Sequence, residues 1–311
     1  MNRVPSDAEP AVDIPLYPDD TVEDLQRCGF RLLQKKRGFR FGMDSVLLAA
    51  YAASFCRFPE TRPLRIADLG AGCGAVSLLL AARLPAALLT GLELDPASCD
   101  ALARNCRLNA LDQRLWPVQG DIRHLADGTL VSEHLRPHAF DMVVSNPPYR
   151  LPEQSWYPGG QPSADARRQA REETAVSLPD ILRAAGRLLR PKGRLVLVHR
   201  VSRLPDLLAE LRHWQLEPKT MRLIQPLPDR APTTLLLSAV CQGRPGSFVT
   251  EPPLLICTQP GIWSPETADL YGLEPPLPHE CLYRGLRHTG LAERQIAAGG
   301  EVPEDEPDQQ A

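Results

Sequence analysis

The chain reads as an α/β protein built on a mostly parallel sheet, and three observations say so. Apolar runs of strand length alternate with helical stretches from residue 64 to residue 213. A glycine-rich turn, Gly70-Ala71-Gly72-Cys73-Gly74, separates the first of these runs from its helix. Two final strand-like runs follow each other with no helix between them, which implies an antiparallel edge on the sheet.

The elements can be justified in order. Residues 1–20 are rich in proline and acid and read as a flexible arm. Phe30 to Gln34 and Phe39 to Phe41 flank Lys36-Arg37-Gly38 and read as a small hairpin with a basic tip. Asp44 or Ser45 can cap a helix that runs through Val46 to Tyr51. Pro59 to Pro63 breaks the chain before Leu64 to Leu69, the first strand of the sheet. A helix over Gly74 to Leu84 follows, then a strand over Leu88 to Glu93. Pro96 opens a helix that reaches Asn109. Leu115 to Gln119 and Phe140 to Ser145 are strands, and a polar loop leads to a helix from Pro179 to Leu189. Gly193 to Val198 is a strand and Ser202 to His213 a helix. Strands near Lys219 to Ile224 and Thr234 to Cys241 follow, and residues 248–258 read as one more. The main domain is taken as residues 21–260, with the hairpin and first helix over 21–58. Residues 261–311 are expected to form a C-terminal extension, acidic and without order from about 290.

A length of 311 residues suits one large α/β domain with additions, or two small domains. No apolar run is long enough to span a membrane and the N-terminus has no signal-peptide core, so a cytoplasmic protein is expected. None of the eight cysteines forms a Cys-x-x-Cys pair, which supports neither a zinc site nor a disulfide framework. The net charge of −3 argues weakly against nucleic acid, but its distribution argues the other way. Acids concentrate in the tail, while Arg27, Arg31, Lys35, Lys36, Arg37 and Arg40 crowd one short stretch. That stretch is either a solvated face or a contact for a polyanion.

Chemistry concentrates at strand ends, where open α/β sheets bind ligands. Gly70, Gly72 and Ala75, with Glu93 at the end of the next strand, also satisfy a dinucleotide fingerprint, so a nicotinamide dehydrogenase competes. Asp68 separates the two readings. A carboxylate there repels a pyrophosphate and attracts an ammonium group, which favours a nucleoside with an amino-acid tail: S-adenosylmethionine. Glu93 can then accept from ribose hydroxyls. Gly120-Asp121-Ile122 offers a carboxylate for the adenine amino group and an apolar side chain for its ring. Asp121 alone reads as well as a helix N-cap; third in a series of strand-end acids, it reads as a ligand.

Asn146-Pro147-Pro148-Tyr149 follows the strand ending at Ser145. Two prolines cannot continue a central strand, so the backbone must leave the sheet in a stiff turn. That turn fixes one amide side chain, one free carbonyl and one aromatic ring, a set suited to a planar amino nitrogen.

The order Asp68-x-Gly70-x-Gly72-x-Gly74, Glu93, Asp121, Asn146-Pro147-Pro148-Tyr149 resembles the class I, Rossmann-like methyltransferases. The Asn-Pro-Pro-Tyr form is similar to enzymes that methylate exocyclic adenine nitrogens, guanine amino groups or a glutamine amide. Lys36 through Ala49 resembles the opening of the tRNA1(Val) adenine-37 N6-methyltransferase family. The resemblance covers residues 22 to 258. It implies a mostly parallel seven-stranded sheet with an antiparallel edge strand and an N-terminal hairpin and helix, S-adenosylmethionine as cofactor, no metal, and RNA, most naturally tRNA, as partner.

On this reading Asn146 and the Pro147 carbonyl accept the two N–H bonds of the target amine, and Tyr149 stacks on the base. Asp44 either closes the cofactor pocket or serves as a cap. Arg167, Arg168 and Arg171 are placed to hold substrate phosphates or are solvated helix charges. Trp156 and Tyr157 stack on bases or pack as a lid, and His199 reads as structural. Competing readings are N5-methylation of a release-factor glutamine, N2-methylation of rRNA guanine, and a nucleic-acid-binding module with a vestigial pocket.

Overall fold

The computed structural model describes residues 14–36, 41–56, 62–147 and 176–272. In chain order these hold β1 (Asp20–Asp24), β2 (Arg31–Lys35), α1 (Met43–Ser54), β3 (Arg65–Leu69), α2 (Ala75–Arg83), β4 (Leu88–Glu93) and α3 (Pro96–Leu108). Next come β5 (Leu115–Gln119), α4 (Ile122–Asp127), β6 (Phe140–Ser145), α5 (Leu178–Leu188), β7 (Leu189–Arg200) and α6 (Leu204–His213). The last are β8 (Leu216–Gln225), β9 (Thr234–Cys241), β10 (Val249–Leu255), β11 (Cys257–Gln259), β12 (Ile262–Trp263) and α7 (Pro265–Leu270).

The main sheet runs β10-β8-β9-β7-β6-β3-β4-β5. Strands β7, β6, β3, β4 and β5 are mutually parallel, as apolar strands joined by helical crossovers require. Strand β9 runs antiparallel between β7 and β8. The sheet therefore has eight strands rather than seven, because the 248–258 stretch adds β10 parallel to β8. Because β8 pairs outside β9, the antiparallel strand lies inside the sheet and not on its edge. The edge strand β10 carries Pro252 and Pro253, which have no N–H with which to recruit a further strand.

Alternation along each strand divides the core between two helical layers. On β6, Met142 and Val144 pack with α1, α2 and α3, while Val143 packs with α4, α5 and α6. Helix starts follow the chemistry of their caps. The Asp95 side chain accepts the Ser98 N–H at 2.9 Å ahead of Pro96, and Ser177 forms a reciprocal capping box with Asp180 around Pro179.

The N-terminal hairpin differs from the one expected. Strand β2 pairs with β1, in the register Asp20↔Lys35 to Asp24↔Arg31; of the expected partner at 39–41, residues 39 and 40 lie outside the described residues. That pairing sets opposite charges across the ladder at both ends, which the 39–41 partner could not do. The arm expected over residues 1–20 is described from residue 14, and from there it lies on α3. The Arg104 guanidinium, fully buried, reaches Asp20 at 2.5 Å, Asp100 at 2.8 Å and the Pro15 carbonyl at 3.0 Å, and sits 4.4 Å from the centre of the Tyr17 ring. Arg104→Ala is expected to cost about 3–5 kcal/mol, because it strands a buried carboxylate at Asp20. A urea midpoint shift at unchanged slope would show it; a cost under about 1 kcal/mol would mean that Asp20 finds another partner.

Residues 257–270, within and just before the stretch assigned to the C-terminal extension, fold into β11, β12 and α7. Two arginines cap the last carbonyls of α7: Arg27 on Asp269 and Leu270 at 2.6 and 3.0 Å, and Arg83 on Leu270 at 2.7 Å. Arg27 of the basic stretch thus joins the two ends of the described chain. Among the described residues no helix is long and apolar enough to cross a membrane.

Candidate functional site

Parallel strands in register end in a row. Leu69 lies beside Leu92 and Ser145, and Glu93 lies beside Gln119. The chain leaving β6, β3, β4 and β5 therefore delivers Asn146, Gly70, Glu93 and Asp121 along one rim. Strand order reverses between β3 and β6, the switch point at which open sheets form a crevice.

The glycine loop is fixed at its base. The Gly70 and Ala71 N–H groups donate to the Leu92 carbonyl at 2.9 and 3.0 Å, and Gly74 N–H donates to the Ala71 carbonyl at 2.8 Å. Gly70 and Gly72 take left-handed backbone, at φ +74° and +57°, and a Cβ on either would meet nothing within 4 Å. They face open space, as a cradle for a ligand requires. Gly74, at φ +90°, serves packing instead, since a Cβ there would overlap the Leu102 side chain of α3.

The three strand-end acids differ in environment. Asp68 is buried and accepts the Ser77 hydroxyl at 2.7 Å; burial, with the Glu93 charge adding to it, pushes its carboxyl up to about 7. Glu93 accepts the Gly72 N–H at 2.7 Å and the Asp95 N–H at 2.8 Å, one on each oxygen. Its carboxylate thus closes the loop and keeps acceptor capacity for further donors. Asp121 caps α4, accepting the Arg123 N–H at 2.8 Å, and its second oxygen lies 2.6 Å from the Arg123 guanidinium. That guanidinium holds its carboxyl below the ordinary carboxylate range. Asp121 is therefore an ionised N-cap, with Ile122 buried directly after it.

Asp44 is not the cap of α1. Gly42 occupies that position in extended backbone, and Asp44 sits half-buried in the first turn. Burial pushes its carboxyl up against the pull of the Arg200 charge. On the far side of the rim, the Ser145 hydroxyl donates to the Leu69 carbonyl at 2.9 Å and stitches β6 to β3 just before Asn146. Asn146 is half-buried and Pro147 buried. Pro148, Tyr149, Trp156, Tyr157, Arg167, Arg168 and Arg171 lie outside the described residues, as do Arg37 and Arg40.

Strand β2 brings the basic stretch toward this rim. It runs along α3 from Asn109, beside Arg31, to Asn105, beside Leu33. Lys35 then reaches the start of α3. There, against the cost of burial, the Ser98 hydrogen bonds and the Lys35 charge keep the Asp95 carboxyl low. Lys36 instead turns its ammonium back to the Pro18 carbonyl at 2.9 Å. His199 is buried, with its ring Nδ1 accepting the Arg200 N–H at 2.9 Å; burial lowers it to about 4, which leaves it neutral near pH 7. Among the described residues no three metal-ligating side chains cluster, and the cysteines are free thiols.

The sequence reading missed Asn105 and Asn109. Asn105 lies on the hairpin-facing side of α3 and Asn109 is its C-cap one turn on, and each uses its amide to bond the edge of β2 that faces away from β1. Asparagine is a weak helix former, so Asn105 inside α3 was the available signal, whereas Asn109 as the C-cap is an ordinary helix end.

Comparison with known proteins fits this geometry. Residues 54–158 match the Methyltransferase small domain model. A tRNA1(Val) (adenine(37)-N6)-methyltransferase of Porphyromonas gingivalis is 29% identical over 243 residues, covering 76% of this chain and 89% of that one. The enzyme of the same name from Parabacteroides distasonis is 30% identical over 221 residues, covering 70% of this chain and 84% of that one. A crystal structure titled as a predicted O-methyltransferase, protein Atu636 from Agrobacterium tumefaciens, superposes with a TM-score of 0.56 at 25% identity, covering 74% of this chain and 96% of that one. With the glycine loop, the strand-end acids and Asn146 on one rim, and relatives of this likeness along most of its length, the chain is a methyltransferase and belongs to the tRNA1(Val) (adenine(37)-N6)-methyltransferase family.

Proposed function

We propose that this chain methylates the N6 amino group of an adenine in tRNA, using S-adenosylmethionine, and that its target is adenine 37 of tRNA1(Val), as the names of its relatives specify for them. The observation that carries the reading is the placement of Asn146 and Pro147 at the end of β6, beside the glycine loop of β3.

The donor set fits the cofactor. A loop cradle that opens on free space is bordered by Asp68, Glu93 and Asp121, three acids that favour an ammonium tail and hydroxyl or amino donors over a pyrophosphate. This is also the argument against a dinucleotide. Asp68 and the loop would hold the amino-acid end, Glu93 the ribose hydroxyls, and Asp121 with Ile122 the adenine. Asp44, in the first turn of α1, would line the same pocket. When bound, the cofactor supplies an electrophilic methyl group on a sulfonium.

The remaining work is done by the chain. An exocyclic adenine nitrogen is a poor nucleophile because its lone pair is delocalised into the ring. The Asn146 side-chain oxygen and the Pro147 carbonyl would accept its two N–H bonds, localise the lone pair and stabilise the positive charge that develops. No strong base is then required, consistent with a neutral, structural His199. Tyr149 would stack on the base, a contribution of roughly 1–3 kcal/mol. The base must leave its stack to reach the rim, which is easiest in a single-stranded loop. Lys35, with Arg37, Arg40, Arg167, Arg168 and Arg171, would hold phosphates; Lys36 contributes less, its ammonium being turned to Pro18. Among the described residues the segment before β3 is a hairpin and one helix, and its basic side chains favour a polyanion over a release-factor glutamine.

The test is methyl transfer to an unmodified tRNA1(Val) transcript and to one carrying guanosine at position 37. Transfer to the first alone is expected. Equal transfer to both would refute the target, and transfer to neither would refute the substrate.

A further inference from the structure

The geometry points to Asn105 as a positioning residue that locks the glycine loop and the basic hairpin strand to one helix. It is fully buried, and its single amide makes three bonds to two different parts of the extension and site. Its Oδ1 accepts the Leu33 N–H at 2.7 Å. Its Nδ2 donates to the Leu33 carbonyl at 2.8 Å and to the Cys73 carbonyl at 2.8 Å. Leu33 belongs to β2 and Cys73 to the loop between Gly72 and Gly74.

The consequence lies in the loop. Its other bonds run to β4 and within itself, through the Leu92 carbonyl, the Glu93 carboxylate and the Ala71 carbonyl. Among the described residues, the Asn105 side chain supplies the hydrogen bond that ties it to α3 and, through α3, to the hairpin. The Cys73 peptide sits between two glycines in left-handed backbone, where rotation is least restrained by side chains. Holding its carbonyl fixes the orientation of the loop's amides and the separation between cofactor cradle and basic strand. A side chain one turn away provides a control. Asn109 bonds the Arg31 N–H and carbonyl, both at 2.8 Å, and so holds the same strand edge, but it does not touch the loop.

The inference rests on the glycine loop being the cofactor cradle, and two readouts separate the two claims. In the full chain, calorimetric titration with S-adenosylhomocysteine is expected to give a Kd about tenfold weaker in Asn105→Ala and within about twofold of wild type in Asn109→Ala. Amide exchange without ligand is expected to quicken at Gly72 and Gly74 in Asn105→Ala only, while thermal stability falls in both variants. Should Asn105→Ala not fold, Asn105→Asp keeps the shape and the acceptor for Leu33 and loses both donors, and the same two changes are expected. Unchanged exchange and affinity, or equal changes in Asn105 and Asn109 variants, would overturn the joint. Faster loop exchange with no S-adenosylhomocysteine binding in wild type would keep the joint and refute the cradle.

Discussion

Asn146→Ala is expected to lower kcat for tRNA methylation by about 10²–10³ and to leave the Kd for S-adenosylhomocysteine within about twofold. The asymmetry follows from the row of strand ends. Asn146 follows β6, while the proposed cofactor cradle is built at the ends of β3, β4 and β5. The stitch between them is Ser145 on Leu69, which the substitution keeps. An amide acceptor that strengthens as charge develops on the target nitrogen acts on turnover and not on cofactor binding. Single-turnover kinetics with saturating tRNA and cofactor, beside calorimetry, would separate the two. Equal losses in turnover and cofactor affinity would place Asn146 in the cofactor pocket instead.

Asp68 gives the second large effect, and its sign reverses between stability and binding. Burial raises its carboxyl to about 7 from an ordinary 3.8. Between these values the native chain holds a proton that the unfolded chain has released. Its contribution to stability is therefore fully present below the unfolded value and lost as pH rises through about 7. Above that, an ionised carboxylate is held in a buried site at a cost on the order of a few kcal/mol. Asp68→Asn should accordingly stabilise the ligand-free protein at pH 8, with the gain vanishing toward pH 4. Cofactor binding should show the opposite response. An ammonium group favours the ionised form, so wild-type affinity for S-adenosylhomocysteine should weaken about tenfold from pH 8 to pH 6. In Asp68→Asn it should be weak at both. Urea titrations and calorimetry at the two pH values measure each effect. An affinity independent of pH in wild type would show that Asp68 does not meet the ammonium group.

Much of this was legible in the sequence because strand-end chemistry is local. A Gly-x-Gly-x-Gly turn between an apolar run and a helix has few structural solutions, and an Asn-Pro-Pro after a buried strand has fewer still. The alternation of runs gave the order of the main elements for the same reason. Long-range pairing was less legible. Residues 30–34 found their partner at 20–24, upstream, because Asp20 and Asp24 complement Lys35 and Arg31, and single-strand patterns carry no partner information. The place of β8 outside β9, which puts the antiparallel strand inside the sheet, is likewise a tertiary fact. Asp44 read as a cap because its type suits that position, yet Gly42 in extended backbone is the cap, two residues earlier. Basic residues were grouped by proximity in sequence, whereas Arg27 and Lys36 spend their charge on carbonyls of the fold. Asn105 and Asn109 passed unread because their role lies in bonds to a strand some seventy residues upstream.

The central claim is the identity of the methylated atom, and the most direct measurement is nucleoside and peptide mass analysis after transfer from labelled S-adenosylmethionine. Unmodified total tRNA, rRNA and a purified release factor would be offered in parallel. The account predicts that the label appears as N6-methyladenosine in tRNA. Label in guanosine or in a glutamine side chain would contradict it, leaving the fold and cofactor cradle in place and the amine acceptor wrongly assigned.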